Sequence, residues 1–391
     1  MINVSEKSKC SGCHACAEIC PKKCIDMISD SEGFWYPKVD ETQCINCGAC
    51  EKVCSIATPR PPTGNECIAA YAVMHKEDSV RLKSSSGGVF SALATYVLEQ
   101  GGVAFGAGFD ENFDVIHQYI ENIDEIDVLC GSKYVQSRIG NAYRQAEAFL
   151  KTGRLVLFSG TPCQIEGLLS YLKKPYENLI TQDLICHGVP SPMVWQKYIE
   201  YRRAAVNGAK PRKIAFRAKN EGWKRYSVSF LFENDTEYRA TLDKDPMMQV
   251  FLKNLCLRPS CYDCHFKTKK RRSDITLADF WGVKNVLPEM DDDKGTSLII
   301  IHSKKGQAIF EKISSSLNFI KTDIDKAIFY NSSMIKSVEI PHERSVFFKM
   351  INEKPYKAFK QYGKVGFIKK CKKKIRKEMG KIKSFLKKGN K

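Results

Sequence analysis

The chain has 391 residues, 17 cysteines and a formal net charge of +18, enough for two or three domains and a sizeable core. No stretch of about eighteen apolar residues occurs, and the start, MINVSEKSKC, lacks the apolar core of a secretory signal, so neither a membrane span nor a secreted disulfide scaffold is expected. A reducing compartment, the cytoplasm, with thiolates given to metal clusters fits the cysteine usage.

Eight cysteines fall within the first fifty-four residues, in two copies of one spacing: Cys10-x2-Cys13-x2-Cys16-x3-Cys20-Pro21 and Cys44-x2-Cys47-x2-Cys50-x3-Cys54-Ser55. A tight loop supplies three thiolates to an iron–sulfur cubane, and in the two-cluster ferredoxin arrangement the fourth ligand comes from the other run. One 4Fe–4S cluster is therefore expected on Cys10, Cys13, Cys16 and Cys54, and a second on Cys44, Cys47, Cys50 and Cys20. A zinc reading is poorer, because paired C-x2-C zinc sites lack this longer run.

The stretch Thr58–Gly64 is turn-rich and stiff and reads as a linker. It divides the chain into a ferredoxin-type unit (1–58), a linker (59–66), a main domain (67–345) and a basic tail (346–391). Beyond it a strand is expected at 68–74, then Ser84-Ser-Ser-Gly-Gly88 opening a helix over 89–99. Serine hydroxyls and glycine amides before a helix can cradle an anion, or can simply cap the helix. A glycine-rich strand is expected at 101–109, and a polar loop at Gly131–Ser137 carries Lys133 and Tyr134 before a helix over 141–151.

Two apolar strands, 155–159 and 179–185, run into Gly160-Thr-Pro-Cys-Gln164 and Cys186-His-Gly-Val-Pro190. This is an α/β pattern, in which ligands gather at the carboxyl ends of strands. A helix is expected over 193–207, and antiparallel strands at 213–216, 226–232 and 237–242. Cys256-x4-Cys261-x2-Cys264 follows. Two cysteines at C-x2-C cannot close a tetrahedral site alone, and Cys163 and Cys186 are natural complements. A third 4Fe–4S cluster on Cys163, Cys186, Cys261 and Cys264 is the preferred reading, with Cys256 as substitute ligand. Zinc and free thiols remain alternatives. Cys24, Cys67, Cys130 and Cys371 read as small apolar fillers. His14, His187 and His265 adjoin candidate ligands and read either as tuning or proton-carrying groups or as plain neighbours. Strands are expected near 273–282 and 295–302, where Asp274 and Asp279 could bond a ribityl or ribose hydroxyl or merely end a strand.

Residues 353–391 hold sixteen Lys or Arg against Glu353 and Glu378, so only +4 of the net charge belongs to the rest. Ile368, Cys371, Ile375, Met379, Ile382 and Leu386 lie at helical spacing and predict a C-terminal basic amphipathic helix. Such a helix suits peripheral contact with an anionic membrane, a solvated role, or less readily nucleic acid.

Taken together, Ser86-Gly87-Gly88, Gly131-Ser-Lys-Tyr134, Thr161-Pro-Cys-Gln164, the Cys186 strand end, Cys261-x2-Cys264 and Ser273-Asp-Ile-Thr276 resemble the family formed by the beta subunits of coenzyme F420 hydrogenases and dehydrogenases. The resemblance implies an α+β ferredoxin-like dicluster module followed by an α/β flavin-binding domain with a mixed sheet. It implies FAD contacted near Ser86, Gly87, Gly88, Lys133, Tyr134, Asp274 and Thr276, beside a cluster on the four grouped cysteines. The expected activity is that of an iron–sulfur flavoprotein oxidoreductase exchanging hydride with a small organic substrate, deazaflavin-like or other. Lys133, Tyr134 and His187 are the acid–base candidates, and a redox protein or larger oxidoreductase is the expected partner. The rival readings are an electron-transfer subunit without its own substrate and an accessory protein of surface-polysaccharide assembly.

Overall fold

The computed structural model describes residues 1–58 and 66–364; the expected amphipathic helix and most of the expected linker lie outside them. The two cysteine runs fold alike, offset by thirty-four positions. Gly12 and His14 in the first run, and Asn46 and Gly48 in the second, have φ of +67°, +65°, +52° and +70°. These left-handed residues curl each loop around its three cysteines before the short helices Ala15–Glu18 and Ala49–Val53. Between the runs, β1 (Ile25–Ser29) and β2 (Trp35–Val39) pair antiparallel.

The body is built on an eight-stranded mixed sheet. Its strands are β3 (Ala69–His75), β4 (Val103–Phe109), β5 (Val115–Ile120), β6 (Val156–Ser159), β7 (Leu179–Leu184), then β11 (Ile275–Asp279), β12 (Ser297–Ile301) and β13 (Leu317–Thr322), in the spatial order β13-β3-β12-β11-β7-β6-β4-β5. The intervening β8 (Pro211–Ala218), β9 (Ser227–Phe232) and β10 (Glu237–Thr241) form a separate antiparallel sheet. Strands β4, β6, β7 and β11 run parallel, while β5, β12, β3 and β13 extend the sheet antiparallel. Alternation along the parallel strands serves two layers. Leu157 and Ile180 pack towards the helices Val89–Glu99 and Lys304–Ile313. Val156, Phe158 and Leu179 face the helices Ala142–Lys151 and Pro162–Leu172. Burial on both faces explains why these strands read as continuous apolar runs.

Position 345 falls inside the helix Arg344–Glu353, which with Pro355–Tyr362 buries Phe347, Ile351, Ala358 and Phe359 in the core. The lysines of this stretch give it the composition of a tail, yet its apolar residues share one buried face. The N-terminal unit is also no appended bead. Phe34 and Tyr36 join Trp195, Tyr198 and Phe348 in one cluster, and Ala15 and Val53 pack with Tyr143 and Ile165.

Candidate functional site

Among the described residues no three His, Cys, Asp or Glu side chains are placed to hold a single metal ion. The grouped cysteines instead surround larger spaces. Cys13 and Cys16 lie close to both Cys10 and Cys54, and burial, reinforced by those neighbours, pushes the Cys13 thiol up to about 11. Cys20, Cys44, Cys47 and Cys50 line a second cavity near the surface, where Cys47 is exposed. Cys24 lines it too, its Sγ 3.4 Å from that of Cys20, while packing in a buried apolar cluster with Ile2 and Ile25.

The third set converges from three elements. Thr161 and Gln164 form a reciprocal capping box, so the helix begins at Pro162. Cys163 thus sits in a helical first turn, with its Sγ 3.1 Å from Thr161 Oγ1. Cys186 follows the end of β7, and Cys261 closes a short 3-10 turn, its Sγ accepting from the Val189 N–H at 3.5 Å. Cys163, Cys186, Cys261 and Cys264 line one cavity with Lys267 and Arg271. Burial raises the Cys163 and Cys186 thiols, and Cys261 up to about 12. Thiols so buried become thiolates only when a metal group takes the charge, which is the donor chemistry an iron–sulfur cluster requires. The substitute ligand, Cys256, is wholly buried in the apolar core and lines none of these cavities.

The sets stand in a row. Lys9 and Ser11, flanking Cys10, and Ile56, just beyond Cys54, line the third cavity. A Cβ at Gly167, one turn after Cys163, would stand 3.2 Å from Cys13 Sγ, so the two loops touch. On the far side, residues 186–189 separate this cavity from a much larger one of about 630 Å³, and Cys186 and His187 line both.

The large cavity lies at the carboxyl ends of the parallel strands, where α/β sheets bind ligands, and its volume suits a cofactor. Ser86, Gly88, Lys133 and Tyr134 line it. Lys133 Nζ donates to the carbonyls of Val128 and Cys130, and burial lowers its pKa to about 8. The Tyr134 ring stacks on Phe251, centroids 5.0 Å apart. His187 Nε2 lies 2.6 Å from Asn254 Oδ1, and burial lowers its pKa.

Three expected flavin contacts lie elsewhere. Gly87 is pressed against the sheet; its N–H donates to Ser297 Oγ, and a Cβ there would stand 2.3 Å from the Val73 carbonyl oxygen. The Asp274 carboxylate accepts from Thr181 N–H and Oγ1 and from Ser303 Oγ. Thr276 is fully buried against Asp183 and His302. Asp274 and Thr276 stand before and within β11, whereas the cavity meets its carboxyl end, where Asp279 lines it and is held by Arg217 and Trp223 Nε1.

His117, missed because β5 carries no strong pattern, also lines the cavity, together with Ser137 and Gln164 from the loop and the helix start singled out in the sequence. His117 Nε2 donates to the Ser159 carbonyl at 3.0 Å, its Nδ1 accepts from Ser137 Oγ at 2.9 Å, and Gln164 donates to that hydroxyl. Burial lowers the His117 pKa to about 4. The unfolded chain then binds the extra proton between pH 6.5 and 4 while the folded one does not, so His117 stability is lost as pH falls through that window, by about 3 kcal/mol. Urea midpoints of wild type and His117→Gln should therefore converge on acidification, and curves that stay parallel from pH 7 to 4 would contradict it.

Residues 70–143 and 153–327 match the models of the coenzyme F420 hydrogenase/dehydrogenase beta subunit, N-term and C terminus respectively, and residues 9–57 match the 4Fe-4S dicluster domain. The chain is 25% identical over 173 residues to a subunit of the F(420)H(2) dehydrogenase of Methanosarcina mazei, covering 42% of this chain and 49% of that protein. It is 42% identical over 43 residues to Ferredoxin 7Fe of Hydrogenibacillus schlegelii, covering 11% of this chain and 49% of the ferredoxin. The chain thus spans about half the length of the curated relatives it matches. A chain in the structure of the xenon-derivatized F420-reducing NiFe hydrogenase complex from Methanosarcina barkeri is similar at TM-score 0.46 and 17% identity, over 77% of this chain and 92% of that one. No described helix is long and apolar enough to cross a membrane. With both halves of its body and its cysteine-rich N-terminal unit matched, the chain belongs to the family of coenzyme F420 hydrogenase/dehydrogenase beta subunits, joined to a 4Fe-4S dicluster domain.

Proposed function

We propose that this chain is an iron–sulfur flavoprotein oxidoreductase, in which ferredoxin-type clusters and a third cluster on Cys163, Cys186, Cys261 and Cys264 serve an FAD in the large cavity. The carrying observation is continuity: the N-terminal unit lines the third cysteine cavity, and Cys186 lines both that cavity and the large one. When bound, clusters handle single electrons and a flavin handles pairs as hydride equivalents. The chain's own residues supply the surroundings. Gly88 and the amides opening the helix Val89–Glu99 offer donors to an anionic group, beside Ser86, whose hydroxyl is given to the Thr296 carbonyl. Tyr134 presents a ring fixed by Phe251. Lys133 can hold or release a proton near neutral pH, and His187 stands neutral at the wall shared with the cysteines.

The substrate would be a small organic donor or acceptor, and the partner a redox protein or a larger oxidoreductase. A second reading, an electron-transfer subunit without its own substrate, is favoured by the relative described as a dehydrogenase subunit. Protein purified without oxygen should hold about twelve irons and one flavin, and dithionite should bleach it reversibly. Eight irons with one zinc, or no flavin, would overturn the proposal. Turnover of an organic acceptor by the isolated chain separates the two readings.

A further inference from the structure

We propose that half-buried Lys267 and buried Arg271 form a cationic wall that sets the reduction potential of the third site, making it the electron-accepting end of the row. This rests on the four-cysteine cluster of the proposed function. Both residues line the cavity of Cys163, Cys186, Cys261 and Cys264. Lys267 Nζ is fixed between the carbonyl oxygens of Cys186 and Ser333. The Arg271 guanidinium is 4% exposed; it reaches the Phe266 carbonyl and Met334 Sδ, and its Nε has no hydrogen-bond partner. Its nearest carboxylate is Asp183, 3.7 Å away and itself buried, with burial raising that pKa to about 6. Asp183 thus offsets only part of the wall. Lys9, the third cation on this cavity, is half-exposed and pairs with Glu6, so solvent and salt screen it.

The surroundings of the second set differ. There the lysine on the cavity, Lys22, is exposed, and so is Cys47. The first set touches Arg258, whose guanidinium also reaches towards Cys261 and is common to both sites. A buried positive charge stabilises the reduced, more negative state of a cluster far more than one in water. The gradient therefore runs from the exposed set inward, and electrons entering at Cys47 gather beside Cys186, the residue that also faces the large cavity.

The test is a redox titration of the iron-loaded full chain followed by electron paramagnetic resonance. In Lys267→Met or Arg271→Met, one of the cluster signals should move to lower potential, with its reduced-to-oxidised ratio falling about tenfold at fixed potential, 59 mV for one electron. The other signals should stay in place. Lys267→Arg and Arg271→Lys, which keep the charge, should restore the wild-type value. Unmoved signals in the methionine variants, or equal shifts in the charge-conserving ones, would overturn the wall. Should Lys267→Met fail to hold iron, Arg271→Gln carries the same measurement. A wild-type chain with only eight irons would instead refute the third cluster, a separate outcome.

Discussion

Replacing Cys163 by alanine is expected to remove about four of roughly twelve irons per chain while leaving the N-terminal clusters in place. Cys163 stands in the first turn of a helix whose start is fixed independently by the Thr161 and Gln164 capping box, so the fold around it does not depend on the thiol. The remaining three cysteines would then face a cavity with a missing corner. Iron per chain by elemental analysis is the readout, with Cys256→Ala as the control. That residue is enclosed by core side chains and lines none of the three cavities, so its loss should cost stability without costing iron. An unchanged count in Cys163→Ala would remove it from the ligand set; iron loss in Cys256→Ala would reinstate the substitute.

Arg258→Met should destabilise the protein by about 3 kcal/mol or more and loosen the N-terminal unit. The side chain is fully buried, donating to the carbonyls of Cys10 at 2.8 Å and Trp35 at 2.9 Å and to Gln136 Oε1 at 3.1 Å. It also lies over the Tyr36 ring, 4.4 Å from its centroid. Methionine fills similar length but leaves three acceptors without this donor, the buried Gln136 Oε1 and the half-buried carbonyls of Cys10 and Trp35, a buried unpaired acceptor costing about 1–3 kcal/mol and the other two less. Because Arg258 lies between Cys256 and Cys261, its loss uncouples the first cysteine loop from the third. A lower denaturation midpoint and faster protease cleavage after the first fifty-odd residues would register this. Wild-type values for both would show that apolar packing alone joins the units.

The sequence exposed some levels of this design better than others. Cysteine spacing survives any change of surroundings, because a cluster demands it, so the two runs were legible as the dicluster domain that residues 9–57 match. The buried parallel strands were legible for a similar reason: four or five apolar residues ending at a loop have few other uses. What failed was choice between neighbours on one strand. Asp274 and Asp279 look alike in the sequence, and their difference is which end of β11 opens on the cavity. The helices Arg344–Glu353 and Pro355–Tyr362 were hidden by lysines that coat the exposed side of an otherwise core-forming pair. His117 gave no signal, because its meaning comes from Ser137 and Gln164, brought to it only by folding.

The hairpin between the two cysteine runs carries a consequence for synthesis. Phe34 packs on Phe348, Glu32 pairs with Arg344, and Asn352 donates to the Ser31 carbonyl. Those partners leave the ribosome roughly 15–60 s after the hairpin, at translation rates of about 5–20 residues per second. For that interval the hairpin stands without its C-terminal cover, while the first cysteine loop already has Tyr143 and Ile165 to pack against. The third cavity cannot exist until Cys264 has emerged and Arg271 has folded behind it. Formation of the cysteine cavities is therefore ordered in time by the chain itself, the two N-terminal sets before the one that needs Cys264, and a chain truncated before 344 would leave an aromatic face with nothing to cover it.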